Sequence, residues 1–420
     1  MSTKNRSYPP QELSSTVFKL PDWIQLGLGD AEYICHEKGA TFSAENPPDK
    51  LPDITKHANF MTEVLKSNPE LYEKLRRKKT ALGVSLAHCI KTGIDNPAHP
   101  FIKTCGITAG DEESYQLFGE LFDPIIQKRH GIAIPYPLHQ REIDITQLSV
   151  KTLDTTGKYV LTSRVRTCRS IRGYRLPPTI TFKERRSLEQ VIVRALLNLT
   201  GNLTGDYFPI HGSRSYESKP GGMTIEKELE LRSCGNLFQE PDSTLMLSSG
   251  CGRHWPDARG IFQSKDEHVY VWVNEEDHIR IISMEKGQNM QSVYTRFVEL
   301  NKALEMEIKK AGKEFMHSDS LGFIVTCPSN IGTGLRVGCH IKIPYLSSHP
   351  NFKTIVKDMG LQARGYSGVD SAAHDGIVDI SNAARVSKTE IELVNTVING
   401  ISEIIKLEQM LEKGENITCK

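Results

Sequence analysis

The chain has 420 residues, more than one compact core usually organises, so length favours a large domain joined to a smaller one. Its 52 Lys and Arg against 51 Asp and Glu leave a net charge of +1, which excludes a polyanion binder working through bulk charge and an acidic-tail protein. The apolar fraction of 38% is enough for real cores, and no apolar run approaches the roughly 18 to 20 residues that span a bilayer.

The first residues mix Lys4, Arg6 and Glu12 with Pro9 and Pro10. They lack the apolar block of a signal peptide and the acid-free amphipathic pattern of a transit peptide, so a cytoplasmic protein is expected. Nine cysteines, at 35, 89, 105, 168, 234, 251, 327, 339 and 419, include no CxxC pair and no Cys/His cluster at zinc spacing. They read as reduced thiols, with no metal site of their own.

In chain order, residues 1–45 are irregular and broken by prolines, an N-terminal arm. Residues 46–131 turn helical: Phe60, Val64 and Leu65 share a face, Leu71, Leu75 and Leu82 follow, and Ser114 to Arg129 carries Tyr115, Phe118, Leu121, Phe122 and Ile125. This is a small all-α domain. Residues 132–157 are polar and Pro/Gly-punctuated, which suits a linker. In residues 158–420 strands are predicted at Tyr159 to Thr167, Tyr270 to Val273 and Ile279 to Ser283. Gly322 to Thr326 and Leu335 to Ile343 read as a further pair around a Gly-containing loop. Helices at Glu184 to Leu199, Gln291 to Lys310 and Lys388 to Glu412 interleave with them. Short turns in place of regular helical crossovers argue for an antiparallel sheet flanked by helices, hence an α+β fold. Residues 211–222, small, polar and Gly-rich, read as an exposed, mobile insertion.

Arg164 and Arg166 alternate with Val165 on a strand and so project from one face. Two guanidiniums there suit a solvated face or an anion. Arg280, Arg336 and Arg364 recur at strand or loop edges, and five arginines would suit a polyphosphate, because guanidinium forks match phosphoryl oxygens and keep their proton. No GxxxxGK[ST] loop and no GxGxxG followed by a Lys-bearing strand offers another phosphate cradle. The turn Asn274 to Asp277 carries three carboxylates. It fits an ordinary wet hairpin, or a carboxylate that orients a cationic substrate and accepts its proton. In the loop Cys327-Pro-Ser-Asn-Ile-Gly-Thr-Gly334, Cys327 is either a buried thiol or, beside cations, a thiolate. Arg336 and His340 share a face of the strand that follows.

The loop Cys327 to Gly334 resembles the signature of the phosphagen (guanidino) kinases. The resemblance extends from about Asp53 to Asn416, through Thr92-Gly-Ile-Asp-Asn-Pro97, Ala109 to Tyr115, Ser163-Arg-Val-Arg166, Trp255 to Ile261, Trp272 to His278 and Leu361 to Asp379. It implies a small helical domain, a larger domain with an antiparallel sheet, and reversible transfer of the γ-phosphoryl of MgATP to a guanidino nitrogen. By the same resemblance Arg164, Arg166, Arg280, Arg336 and Arg364 clamp the phosphates of ATP or ADP, and His340 and Asp379 lie along the adenosine. Glu276 holds the guanidinium with Cys327 beside it, magnesium rides mainly on the nucleotide and water, and the assembly is a homo- or hetero-dimer without nucleic-acid partners.

The full-length loop around Asp95 to Gly106, an apolar pair Ile102 and Val369, and Arg129 resemble the creatine kinase clade, so creatine is the first expectation and glycocyamine the alternative. A non-catalytic nucleotide-binding relative is the rival class. Departures from the creatine kinase pattern are Cys105 for a valine near the pocket, Cys168 for a glycine, Tyr366-Ser367 for Thr-Gly, the insertion at 211–222, and Gly235 where a nucleotide-side histidine is expected.

Overall fold

The computed structural model describes residues 47–99, 102–149, 152–241, 243–365 and 376–417. The arm at 1–45, Tyr366-Ser367 and Val369 lie outside the described residues. The described chain opens with α1 (Phe60–Ser67), α2 (Glu70–Leu75), α3 (Leu86–Asp95), α4 (Ser114–Leu117) and α5 (Gly119–His130). It continues through β1 (Val160–Arg169), α6 (Phe182–Leu197), β2 (Gly205–Pro209), α7 (Ile225–Ser233), α8 (Thr244–Ser249), β3 (Gly260–Ser264), β4 (Val269–Val273), β5 (Ile279–Lys286) and α9 (Met290–Lys310). Last come β6 (His317–Ser318), β7 (Gly322–Phe323), β8 (Arg336–Lys342), α10 (Pro344–Ser347), α11 (Phe352–Asp358), β9 (Leu361–Gly365), β10 (Ile377–Asn382) and α12 (Glu390–Glu412).

Eight strands form one sheet in the order β2-β3-β4-β5-β1-β8-β10-β9, and every neighbouring pair is antiparallel. Alternation along the strands sorts its residues onto two faces. Val165, Ile279, Ile281, Val337, Cys339, Ile341, Val378 and Ile380 point to one face, where the helices α6, α9 and α12 bury them in the main core. Thr181 and Thr389 each close a reciprocal capping box with a glutamate three residues on, which sets where α6 and α12 begin.

Three elements differ from the sequence reading. The stretch from Ser114 to Arg129 is two helices, because Phe118 leaves helical geometry (φ −103°, ψ 22°) to fill the helical core. Helix α2 stops at Leu75, and Leu82 is exposed in a turn whose Gly83 has φ 84°. Gly322 to Thr326 does not pair with β8: only Gly322–Phe323 is a strand, hydrogen-bonded to β6, while β8 pairs with β1 and β10. The segment 316–331 is used elsewhere. Met316, Leu321, Ile324, Val325 and Ile331 join the core of the first five helices, so the sheet-containing half lends a wall to the helical half.

A second junction joins α3 to α8. Lys91 Nζ lies 2.8 Å from Asp95 Oδ2, with both side chains almost fully buried, and Ser248 Oγ donates to the same carboxylate oxygen at 2.8 Å. Thr92 Oγ1 donates to Leu245 O at 3.1 Å alongside. Truncating one member of a buried ion pair typically costs about 3 kcal/mol, whereas replacing both by apolar residues is often nearly neutral. Asp95→Ala is therefore expected to lower stability by about that amount in urea titration, and Lys91→Met/Asp95→Leu to regain most of it. A wild-type midpoint for Asp95→Ala would remove this pair from the junction.

Candidate active site

The face of the sheet opposite the main core carries the arginines. In the β1/β8 register Arg166 faces Arg336 and Arg164 faces Gly338, and Thr162 faces His340. On β10 Asp379 faces His340, and on β9 Arg364 faces Asp379. Arg280 of β5 faces Cys168, two residues on from Arg166. The five arginines singled out in the sequence thus share one face, together with His340 and Asp379. A cleft of about 890 Å³ opens over Arg166, Arg280, Arg336 and Arg364. A small pocket of about 30 Å³, lined by Thr162, Arg164, Gly338, His340 and Asp379, adjoins it through Arg166 and Arg336. Gly338 keeps that floor low, since a Cβ there would lie 2.5 Å from Ile380 O.

The arginines differ in how they are neutralised. Arg280 lies 3.0 Å from Glu275, 3.1 Å from Glu276 and 3.5 Å from Asp277, and these carboxylates hold its pKa well above the ordinary value despite burial. Arg336 is 2.6 Å from Asp379. Among the described residues neither Arg164 Nε nor Arg280 Nε has a hydrogen-bond partner. Burial, followed by the neighbouring guanidinium of Arg336, pushes the pKa of Arg164 down to about 10, and that of Arg166 falls well below its usual value for the same two reasons. A guanidinium does not give up its proton in a protein, so the strain persists as positive potential that a bound polyanion relieves.

At the other end of the cleft the acidic turn and the thiol loop are locked together. Thr326 Oγ1 donates to Glu276 O at 2.9 Å, and Thr326 N–H donates to Asp277 Oδ1 at 3.0 Å. Residue 326 immediately precedes the thiol, so Glu276 and Cys327 line one wall in a fixed relation. Burial, with Asp277, Glu275 and Cys327 adding negative charge, pushes Glu276 up to about 8 against the opposing pull of Arg280. Cys327 moves the other way, down to about 6: the thiol of Cys105 and the Ser329 hydroxyl and N–H stabilise its charged form, while burial opposes them. A carboxylate and a thiolate side by side favour a cation between them.

Of the pocket residues, Ile102, Cys105 and Arg129 line the same cleft, with Ile102 43% exposed at its edge. Gly235 adopts φ 69° at the end of α7, and a side chain there would meet no neighbour within 4 Å. In the segment 211–222 most residues are exposed, and several are anchored by hydrogen bonds. Ser213 and Ser215 are buried, Arg214 N–H donates to Asp257 Oδ1 at 3.0 Å, Ser215 Oγ accepts from Ala258 N–H at 3.1 Å, and Lys219 Nζ donates to Tyr207 O at 2.7 Å. Its hydroxyls and lysine find backbone partners that composition does not reveal. Two residues escaped the sequence reading. One is Thr326, whose only signal was its place before Cys327. The other is Arg385, which donates to Ser329 O at 2.7 Å and to Asn330 Oδ1. Gly332 lets this arginine's backbone approach, for a Cβ there would lie 2.3 Å from Arg385 O.

Residues 55–127 match the model of the ATP:guanido phosphotransferase N-terminal domain, and residues 190–411 that of the C-terminal catalytic domain. The chain is 47% identical to creatine kinase M-type of Canis lupus familiaris over 371 residues, covering 88% of this chain and 94% of that one. The Homo sapiens M-type protein gives the same identity and coverage. Among solved structures, that of lombricine kinase aligns at TM-score 0.79 and 41% identity, over 88% of this chain and 96% of its own. The duplicated taurocyamine kinase from Schistosoma mansoni, bound to transition-state analogue components, aligns at TM-score 0.76 and 34% identity, over 86% of this chain and 47% of its own. On these two domain matches and this near-complete coverage, the chain belongs to the ATP:guanido phosphotransferases, the phosphagen kinases.

Proposed function

We propose that this protein transfers the γ-phosphoryl group of MgATP reversibly to the guanidino nitrogen of creatine, with glycocyamine as the second substrate in order of preference. The observation that carries the reading is the charge segregation of one cleft. Under-neutralised guanidiniums occupy one wall, and a carboxylate with a thiolate-prone cysteine occupies the other. Arg164, Arg166, Arg280, Arg336 and Arg364 hold the nucleotide phosphates, His340 and Asp379 flank the nucleoside, and Glu276 and Cys327 hold the guanidinium. Such a transfer is accelerated by positioning and by charge stabilisation of the moving phosphoryl group. Magnesium enters with the nucleotide, held mainly by its phosphates and water. A cytoplasmic location, from the composition of the first residues, and a dimeric assembly, from the resemblance, complete the reading.

Creatine differs from glycocyamine by one methyl group. The side chain of Ile102 at the cleft edge supports the creatine reading, because it offers apolar surface for that methyl. One methyl in an apolar pocket is worth about tenfold in kcat/KM. Creatine is expected to exceed glycocyamine by about that factor, and Ile102→Gly to erase the difference. A wild-type enzyme that phosphorylates neither compound would overturn the reading.

Glu276 must be ionised to take the guanidinium proton. Because its pKa is raised, the ionised fraction grows as pH climbs through about 8, so kcat/KM for phosphagen formation is expected to rise along that limb and level off above it. Glu276→Gln is expected to lower kcat by about 10²- to 10⁴-fold and to abolish the limb. An unchanged pH profile in that variant would take the proton-acceptor role away from Glu276.

A further inference from the structure

Arg385 lines the cleft without belonging to the five arginines of the phosphate wall, and the sheet fixes its place. Asn382, the last residue of β10, is fully buried. Its Nδ2 donates to Leu335 O at 3.0 Å and to Ala384 O at 2.6 Å, and its Oδ1 accepts from Val337 N–H at 2.7 Å. The chain leaving β10 is thereby turned onto the thiol loop. There the carbonyl of Arg385 accepts from Thr333 N–H at 3.0 Å and from Thr333 Oγ1 at 3.2 Å. A side chain only 7% exposed, on a backbone pinned in this way, is delivered to one place.

The loop meets it with the three residues that follow the thiol. Pro328–Asn330 form a single 3₁₀ turn, closed by Asn330 N–H donating to Cys327 O at 2.9 Å. The Ser329 hydroxyl reaches back to the sulfur, with Oγ 3.1 Å from Cys327 Sγ. The same turn gives Ser329 O, at 2.7 Å, and the Asn330 side-chain oxygen to Arg385 Nη1. Pro328 O accepts from His130 of α5 at 2.8 Å. All three residues of the turn are therefore tied, two of them to one guanidinium, and a charged donor makes a hydrogen bond about twice as strong as a neutral one. The charged and titratable groups acting on Arg385 are Arg336, Cys168, Arg129 and Cys327, none of them a carboxylate.

We infer that Arg385 is a positioning residue for phosphotransfer: by holding Ser329 O and the Asn330 side chain it keeps the Ser329 hydroxyl on the sulfur of Cys327, in the wall that faces the guanidinium. Its purpose rests on the phosphagen kinase reading, whereas the geometry it imposes on the thiol is read without turnover. The competing role is a direct one, as a sixth arginine on the phosphates. The other groups facing Cys327 are Cys105 on the segment joining α3 to α4, Glu276 and Asp277 of the β4–β5 turn, Tyr115 of α4, and Arg129 and His130 at the end of α5. They stay unaltered in every variant below, so a change in thiol ionisation reports either the Ser329 contact or the charge of Arg385.

The test is a double-mutant cycle on the full-length protein, read as the pH dependence of iodoacetamide alkylation at Cys327 by peptide mass spectrometry. Wild type is expected to show a midpoint at about 6. Ser329→Ala removes the hydroxyl and Arg385→Gln its support, and each is expected to raise the midpoint by about one unit, which is about tenfold slower alkylation at a pH below both midpoints. An arginine acting through Ser329 leaves the double variant equal to Ser329→Ala alone. An arginine acting through its charge makes the two shifts add to about two units, and that result, like an unshifted midpoint in Arg385→Gln, would overturn the inference. Should Arg385→Gln fail to fold, Asn330→Ala decides: it takes one acceptor from the guanidinium with every charge intact, and is expected to raise the midpoint by about half a unit in wild type and not in Ser329→Ala. No rise in wild type overturns the inference. A phosphotransfer assay on the same samples completes the test. Arg385→Gln and Ser329→Ala are expected to lower kcat by similar factors with KM for MgATP unchanged, and a raised KM over an unshifted thiol marks a phosphate ligand instead. Absent turnover in wild type with the expected thiol shifts sinks the proposed function alone, and turnover with unshifted thiols sinks the positioning role alone.

Discussion

Arg164, Arg166 and Arg336 stand together on one sheet face, with Asp379 as the carboxylate paired to Arg336. Burying guanidiniums without matching carboxylates is unfavourable, and this arrangement persists only on a scaffold that holds the strands in register regardless. The opposite face is that scaffold. Fully buried Val165, Ile281, Val337, Ile341 and Ile380 pack under the three long helices of the main core, and a one-residue slip of a strand would carry these side chains to the opposite face and bring the residues of that face, Arg164, Arg166, Arg336, His340 and Asp379 among them, into the core. The functional face is electrostatically strained because the structural face over-determines the register.

The same separation of roles appears along the cleft. Arg280 is paired with three carboxylates, whereas Arg164 and Arg166 are disfavoured by burial and then by the guanidinium of Arg336. A negatively charged ligand is favoured at one end and a cationic one at the other, although the chain as a whole is near neutrality. Glu276 and Cys327 belong to the strand-to-strand turn and to the segment after β7, and Thr326 ties the two through its side chain and backbone. That segment also completes the core of the helical half, so the wall holding Glu276 and Cys327 is packed against the helices. The helical half does more than cover the cleft, since it supplies Cys105, Arg129 and Ile102 to its lining.

The ordered motifs were enough to determine the family and the α+β class, and strand parity was enough to put Arg164 and Arg166 on one face. These features are local: alternation on a strand, an acidic turn between apolar runs and a Gly-containing loop after a cysteine are written in adjacent positions. What only the tertiary structure decided is where distant charges cancel. No spacing reveals that Arg280 is neutralised while Arg166 is not, that Arg385 braces the thiol loop from 55 residues away, or that residues 316–331 leave the sheet to build the helical core. Nor does the sequence disclose that 211–222 is tied down through Asp257 and Tyr207. Hydrogen bonds and desolvation depend on which groups meet after the chain has folded. The near-neutral total of 52 positive and 51 negative side chains therefore bounded what the protein binds, and the three-dimensional segregation of those charges decided how.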